Sequence, residues 1–181
     1  MAKRETLLQK IKSIEQADFH TADITLRYAL SHINKRVNTR EQKVLIAAAL
    51  NELVHKKKLV ILGYLINTGE IYLVPECYRK DVSAVQKLIA DALKKIIRWD
   101  NITNEVMLMD DQLINLYTVR ISCIILEDAL VYSLLTGGRL KMPFNEYRYV
   151  KLQKQIQTEE FSSAIDYNGG ISPVIVKCKD R

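Results

Sequence analysis

Through the first sixty positions the apolar residues fall mostly at intervals of three and four, and these intervals divide the stretch into helices. Leu7, Leu8, Ile11 and Ile14 share one face with Lys and Gln opposite, which predicts a helix over residues 3–17. The polar run DFHTAD follows, where Thr21 or Asp23 is placed to cap a second helix reaching Asn34, with Leu26, Ala29, Leu30 and Ile33 inward. After the short turn KRVN, Thr39 opens TREQ, a capping box in which the Thr hydroxyl and the Gln42 side chain satisfy each other's exposed backbone amides. The third helix runs from there to Lys57. Its buried stripe is Ile46, Ala49, Leu50 and Leu53, and the opposite stripe is Arg40, Lys43, Ala47 and Asn51.

Two β-rich runs, LVILGYLI and IYLVPE, flank the turn NTGE and predict a hairpin that Pro75 ends. LVILGYLI is apolar at nearly every position, whereas a strand with one face in water alternates. Both of its sides are therefore covered, whether by the chain's own C-terminal half, a second copy or a partner. Residues 81–99 form an amphipathic helix with Val82, Val85, Leu88, Ile89, Leu93, Ile96 and Ile97 inward and Trp99 at its end. The following run, DDQLINLYTVRISCIILEDALVYSLLTGG, carries two signals. Asp caps in front and Gly137 and Gly138 behind predict one long helix, while the alternation in YTVRISCI is a strand signature; the caps and the length favour the helix. A helix near residues 145–157, a polar turn at DYNGG and a terminal strand in PVIVKCK complete the chain. The expected fold class is α+β, mainly α with a small β component. A unit over residues 1–80 precedes a helical assembly region over residues 81–181 with a short C-terminal strand.

Composition narrows the setting. Cys77, Cys123 and Cys178 are far apart, with no Cys-x-x-Cys pair and no His at ligand spacing, so neither a zinc site nor a disulfide framework is expected, and a reducing cytoplasm fits. The N-terminal segment is charged at every turn, unlike a signal peptide. The most apolar region, residues 113–135, is interrupted by Arg120, Glu127 and Asp128 and reads as buried in protein, so no membrane association is expected.

The whole formal charge of +6 sits in the first third. Twelve Lys and Arg stand against six acids up to Lys58, and the remainder balances at fifteen of each. A surplus confined to one segment makes a local positive field that attracts phosphate backbones or acidic protein surfaces.

Helix, helix, capped helix and hairpin, over roughly residues 5–78, resembles a winged helix-turn-helix. In that superfamily the third helix enters the major groove and the hairpin lies along the adjacent backbone. The resemblance implies groove-facing residues Thr39, Arg40, Lys43, Ala47 and Asn51, with Lys35, Arg36, Lys56, Lys57 and Lys58 near phosphates. Arg can hold guanine and Asn adenine through paired hydrogen bonds, so the stripe is chemically able to read double-stranded DNA. The implied function is a non-catalytic, regulator-like DNA-associated protein acting as a dimer or a complex subunit. The same stripe also fits an ordinary solvated helix face, and the turn NTGE offers no cation. The run from AALNELVHKKKLV to Trp99 is also similar to the middle subunit of three-component ABC-ATPase defence systems, and accessory subunits of SMC-type complexes use winged helices to contact protein. That resemblance implies an adaptor, with partner contacts through Leu59, Ile61, Tyr64, Leu116, Val119 and Ile124.

Elsewhere the chemistry is sparse. RLKMPFNEYRYVKLQKQ interleaves Arg139, Lys141, Arg148, Lys151 and Lys154 with Phe144, Tyr147 and Tyr149, a pattern of base-stacking surfaces and of core anchors with snorkelling neighbours alike. His20, His32 and His55 stand alone, and no HExxH, G-x-S-x-G or phosphate loop occurs. Asp110 with Asp111 and Glu127 with Asp128 read as a cap and a solvated patch, and Cys123 as an inert core residue. No catalytic site, cofactor, metal or small-molecule substrate is expected.

Overall fold

The computed structural model describes residues 23–30, 39–105, 121–138 and 147–178. The helix expected over residues 3–17, the turn KRVN, and Lys35, Arg36, Leu116 and Val119 lie outside the described residues.

The capped third helix and the hairpin form where the pattern puts them. Helix α1 (Thr39–Lys57) buries Ile46, Ala49, Leu50 and Leu53. It ends at Lys58, whose φ of 58° turns the chain left-handed while the Leu59 amide donates back to Leu53 O at 3.3 Å. Strands β2 (Ile61–Asn67) and β3 (Glu70–Pro75) follow, joined through Gly69 at φ +79°, a conformation that costs a residue without Cβ nothing.

Two expected helices are corrected. The described part of the stretch assigned to a second helix is strand β1 (Thr25–Leu30). Leu26, Ala29 and Leu30 satisfy a helical period, but Leu26, Tyr28 and Leu30 also satisfy a period of two, and these three are buried while Ala29 is only partly so. The sheet decides between the periods, because β1 is paired antiparallel on both sides, with Tyr28 opposite Ile71 of β3 and Cys123 of β4 (Ile121–Leu126). Of the long helix expected through residues 111–136, residues 111–120 lie outside the described residues, and the described part is corrected to a strand and a short helix. Asp128 breaks it: its side chain accepts from Leu130 N at 3.0 Å and Val131 N at 3.1 Å and starts helix α3 (Ala129–Leu135). The alternation in YTVRISCI was the true signal for β4. Asp128 is thus an N-cap, where a solvated patch was expected.

The four strands form an antiparallel sheet in the order β2-β3-β1-β4, so elements from both expected units share one sheet. On one face α1 packs with α2 (Val82–Glu105) over Leu26, Tyr28, Tyr64, Ile66, Ile71 and Leu73, and Ile89 and Leu93 of α2 reach the same core. On the other, α3 and α4 (Tyr147–Thr158) place Val131, Leu135, Leu152 and Ile156 over Leu65 and Val74. Both faces of β2 are therefore covered by the chain itself, which is why LVILGYLI does not alternate. Leu59, Ile61 and Tyr64, expected as partner contacts, are corrected to core residues: they are buried within the chain's own core, among residues of the sheet, α1 and α2 with Phe161 and Val174. A short helix α5 (Ala164–Tyr167) leads to residues 171–178. These bend at Pro173 and Val174, with Ser172 and Val174 buried and Ile171, Pro173 and Ile175 outward, and they join no ladder, so the terminal strand expected in PVIVKCK is corrected to an irregular strap. No helix among the described residues is long and apolar enough to cross a membrane.

Gly63 marks a close approach of β2 and α3, since a Cβ there would lie 2.3 Å from the Leu135 carbonyl oxygen. Gly63→Ala is expected to lower unfolding free energy by about 2 kcal/mol, because backbone rather than a flexible side chain must move. Urea denaturation checks this, and an unchanged midpoint would refute the packing described.

Candidate interaction face on helix α1

Strand β2 is an edge strand, and an open edge presents unpaired amides and carbonyls. The C-terminal chain closes it. Ile66 N donates to Phe161 O at 2.9 Å, Ser163 N to Tyr64 O at 3.0 Å, and Lys177 N to Ile61 O at 2.8 Å. Ser163 Oγ accepts from Tyr64 N at 3.0 Å and donates to Leu135 O at 2.7 Å, tying the edge to the end of α3. The Tyr167 hydroxyl donates to Leu62 O at 2.7 Å.

Having closed the edge, the same chain crosses the polar stripe of α1. Lys43 Nζ lies 2.8 Å from Glu159 Oε2, half-buried, and 6.0 Å above the Phe161 ring. Arg40 pairs with Glu160 at 3.4 Å in the open. Ala47 is only 4% exposed. The Asn51 side chain donates from Nδ2 to Pro173 O and accepts at Oδ1 from Ile175 N, each at 2.8 Å. Both hydrogen-bonding ends of its amide are thus engaged on one stretch of backbone, one donating and one accepting. Between those two bonds Val174 is fully buried, and its amide donates to the Tyr64 hydroxyl at 3.3 Å. Lys177 Nζ reaches Glu76 Oε2 at 2.9 Å.

Of the residues assigned to DNA, Thr39 and Arg40 are exposed at the start of α1, whereas Lys56, Lys57 and Lys58 are exposed at its far end, roughly 25 Å away at the helical rise. Arg40 and Lys43 are neutralised by the C-terminal half, Ala47 is covered and Asn51 is occupied. Lys56 pairs with Glu52 at 2.8 Å, and Arg27 of β1 with Glu70. The described cations therefore do not make one continuous face. Glu159, Glu160 and Val174 were not singled out in the sequence, and Tyr64 was assigned there to partner contact. The Glu159–Glu160 pair and the alternation in ISPVIVK were the visible signals, but nothing local says which helix they meet.

Ile124, assigned to partner contact, is 51% exposed on β4, the last strand among the described residues, with Ile125 at 42% on its other face. In the second basic stretch Tyr147 is exposed, while the Tyr149 hydroxyl donates to Asp128 Oδ2 at 3.0 Å, so one aromatic is open and the other is a structural prop. Burial pushes the Cys77 and Cys123 thiols up, away from reactive thiolate character. Among the described residues no group of three or more His, Cys, Asp or Glu is placed to hold a metal. No protein-family model, curated protein or solved structure matches the chain.

Two outcomes are expected from this geometry. Asn51→Ala removes both strap bonds and is expected to cost about 1–2 kcal/mol in urea denaturation, with faster hydrogen exchange at the Ile175 amide; unchanged exchange there would contradict the clamp. Burial of Tyr64 pushes its hydroxyl up to about 12. Its folded-state value is above the unfolded value of about 10, so the stability held by the neutral form is complete below about 10 and is lost as pH rises towards the folded value. The stability of Tyr64→Phe, followed over the same alkaline range, is expected to fall less steeply than that of the unsubstituted chain.

Proposed function

We propose that this chain is a non-catalytic adaptor of winged-helix type, a subunit of a larger assembly that meets its partners mainly through protein contacts. The observation that carries the reading is the engagement of the α1 stripe by residues 159–175. An Asn whose amide already binds Pro173 O and Ile175 N has no free edge to offer adenine, and Lys43 is held by Glu159. The helix followed by a hairpin over Thr39–Pro75, with β1 added against β3, supports the winged part of the reading. Ile124 and Ile125, exposed on opposite faces of β4, the last strand of the described sheet, support the protein-contact part, since exposed large apolar side chains favour burial against another chain. The rival reading, a regulator that binds duplex DNA through α1, retains Arg40 and the Lys56–Lys58 cluster as exposed cations.

Salt and substitution separate the two. In the adaptor, Ile124→Asp abolishes association with the assembly from the native host while leaving the thermal midpoint of the isolated chain nearly unchanged. Duplex binding measured by fluorescence anisotropy is weak and indifferent to Arg40→Ala with Lys43→Ala. Tight duplex binding that both alanines weaken, with a log–log salt slope near one per lost phosphate contact, would instead establish the regulator.

A further inference from the structure

The strap over residues 172–177 is held as a ligand is held. To the sheet edge it gives one backbone hydrogen bond, from Lys177 N to Ile61 O; Ser172 N donates to Asp166 Oδ1 at 3.2 Å and Ser172 Oγ to Val174 O at 3.0 Å across the bend, and side chains of the body recognise its backbone and side chains. Asn51 grips the carbonyl of Pro173 and the amide of Ile175. Between them Val174 fills an apolar slot in the core, with Tyr64 accepting its amide hydrogen bond. Three residues on, the Lys177 ammonium meets the Glu76 carboxylate. On the outward side Ile171 is 95% exposed and Ile175 lies in water, so one side of the strap has no cover of its own. The strap follows Gly169 at φ +86°, where a side chain would meet nothing within 4 Å, and it is tied to α5 by Gly170 N donating to Ile165 O at 2.8 Å and by the Ser172–Asp166 bond.

We propose that the groove between α1 and β2 is a peptide-binding site, filled in cis by residues 172–177 and taken over in trans by a segment of a partner protein. The segment has the chemistry of the strap itself: a β-branched apolar residue seated where Val174 sits, and a lysine or arginine three positions later to meet Glu76. Asn51 recognises backbone and so accepts any sequence, while the Val174 slot and Glu76 select among sequences. The strap competes with the partner, because the groove is available only in the fraction of molecules whose strap is released. This rests on the adaptor reading and names the kind of segment the adaptor captures.

The test uses the full chain and a fluorescein-labelled peptide of sequence GISPVIVKC. A chain carrying Val174→Asp, whose own strap no longer seats, is expected to bind the peptide at least about tenfold more tightly than the unsubstituted chain, and adding Asn51→Ala to it is expected to abolish binding. Lys177→Glu, which sets a carboxylate against Glu76 without touching the core, is expected to act in the same direction if Val174→Asp does not fold. In the unsubstituted chain, hydrogen exchange at Val174, Ile175 and Lys177 is expected to run ahead of exchange at Leu73 of β3. The proposal is overturned by folded strap variants that ignore the peptide, by variants that gain duplex DNA binding instead, or by strap amides that exchange only together with β3. Failure of the peptide arm while Ile124→Asp still dissolves the assembly would remove the groove and leave the adaptor reading intact.

Discussion

The outer edge of β2 is the constraint around which the described structure is arranged. That strand is apolar on both faces and unpaired on one side, so it requires cover above, cover below and hydrogen-bonding partners along its rim. The C-terminal chain supplies the rim. Phe161, Ser163 and Lys177 complete the backbone pairing of Ile66, Tyr64 and Ile61, and Ser163 links the same edge to Leu135 at the end of α3. Unpaired, those amides and carbonyls would each cost about 1–3 kcal/mol on burial, so the C-terminal segment is part of the fold's polar accounting as well as of its packing.

Closing that edge has a consequence for surface chemistry. A chain that must run along β2 from residue 159 to residue 177 also passes over the neighbouring face of α1. The charges it carries there, Glu159 and Glu160, meet Lys43 and Arg40, and its backbone meets Asn51. The pairing of Lys43 is half-buried and that of Arg40 is open to water, so the former contributes to holding the segment and the latter little. A face whose composition suits a nucleic acid is thereby a face that holds protein backbone, and this turns the functional reading towards peptide and protein contacts.

The places where sequence patterns misled share a cause. At residues 25–30 the apolar positions fit both a helix and a strand, and pairing with β3 and β4, both distant in sequence, selects the strand. At residues 121–135 correct signals were joined into one element: alternation marked β4, and the carboxylate of Asp128 began a separate helix. By contrast α1, the hairpin, α2 and α4 carry their own caps, turns or amphipathic stripes. Those elements were legible because the deciding information is local.

Taken alone, the chain determined which segments have a face to bury and that LVILGYLI must be covered on both sides, since a residue's polarity and its neighbours at three, four or two positions are properties of the string itself. Tertiary structure alone decided what provides the cover and which cations stay open. Lys43 and Glu159 are separated by 116 positions and Asn51 and Ile175 by 124, and no local period encodes a meeting between residues so far apart. That is why the stripe on α1 could be written down from the sequence, while its occupant could not.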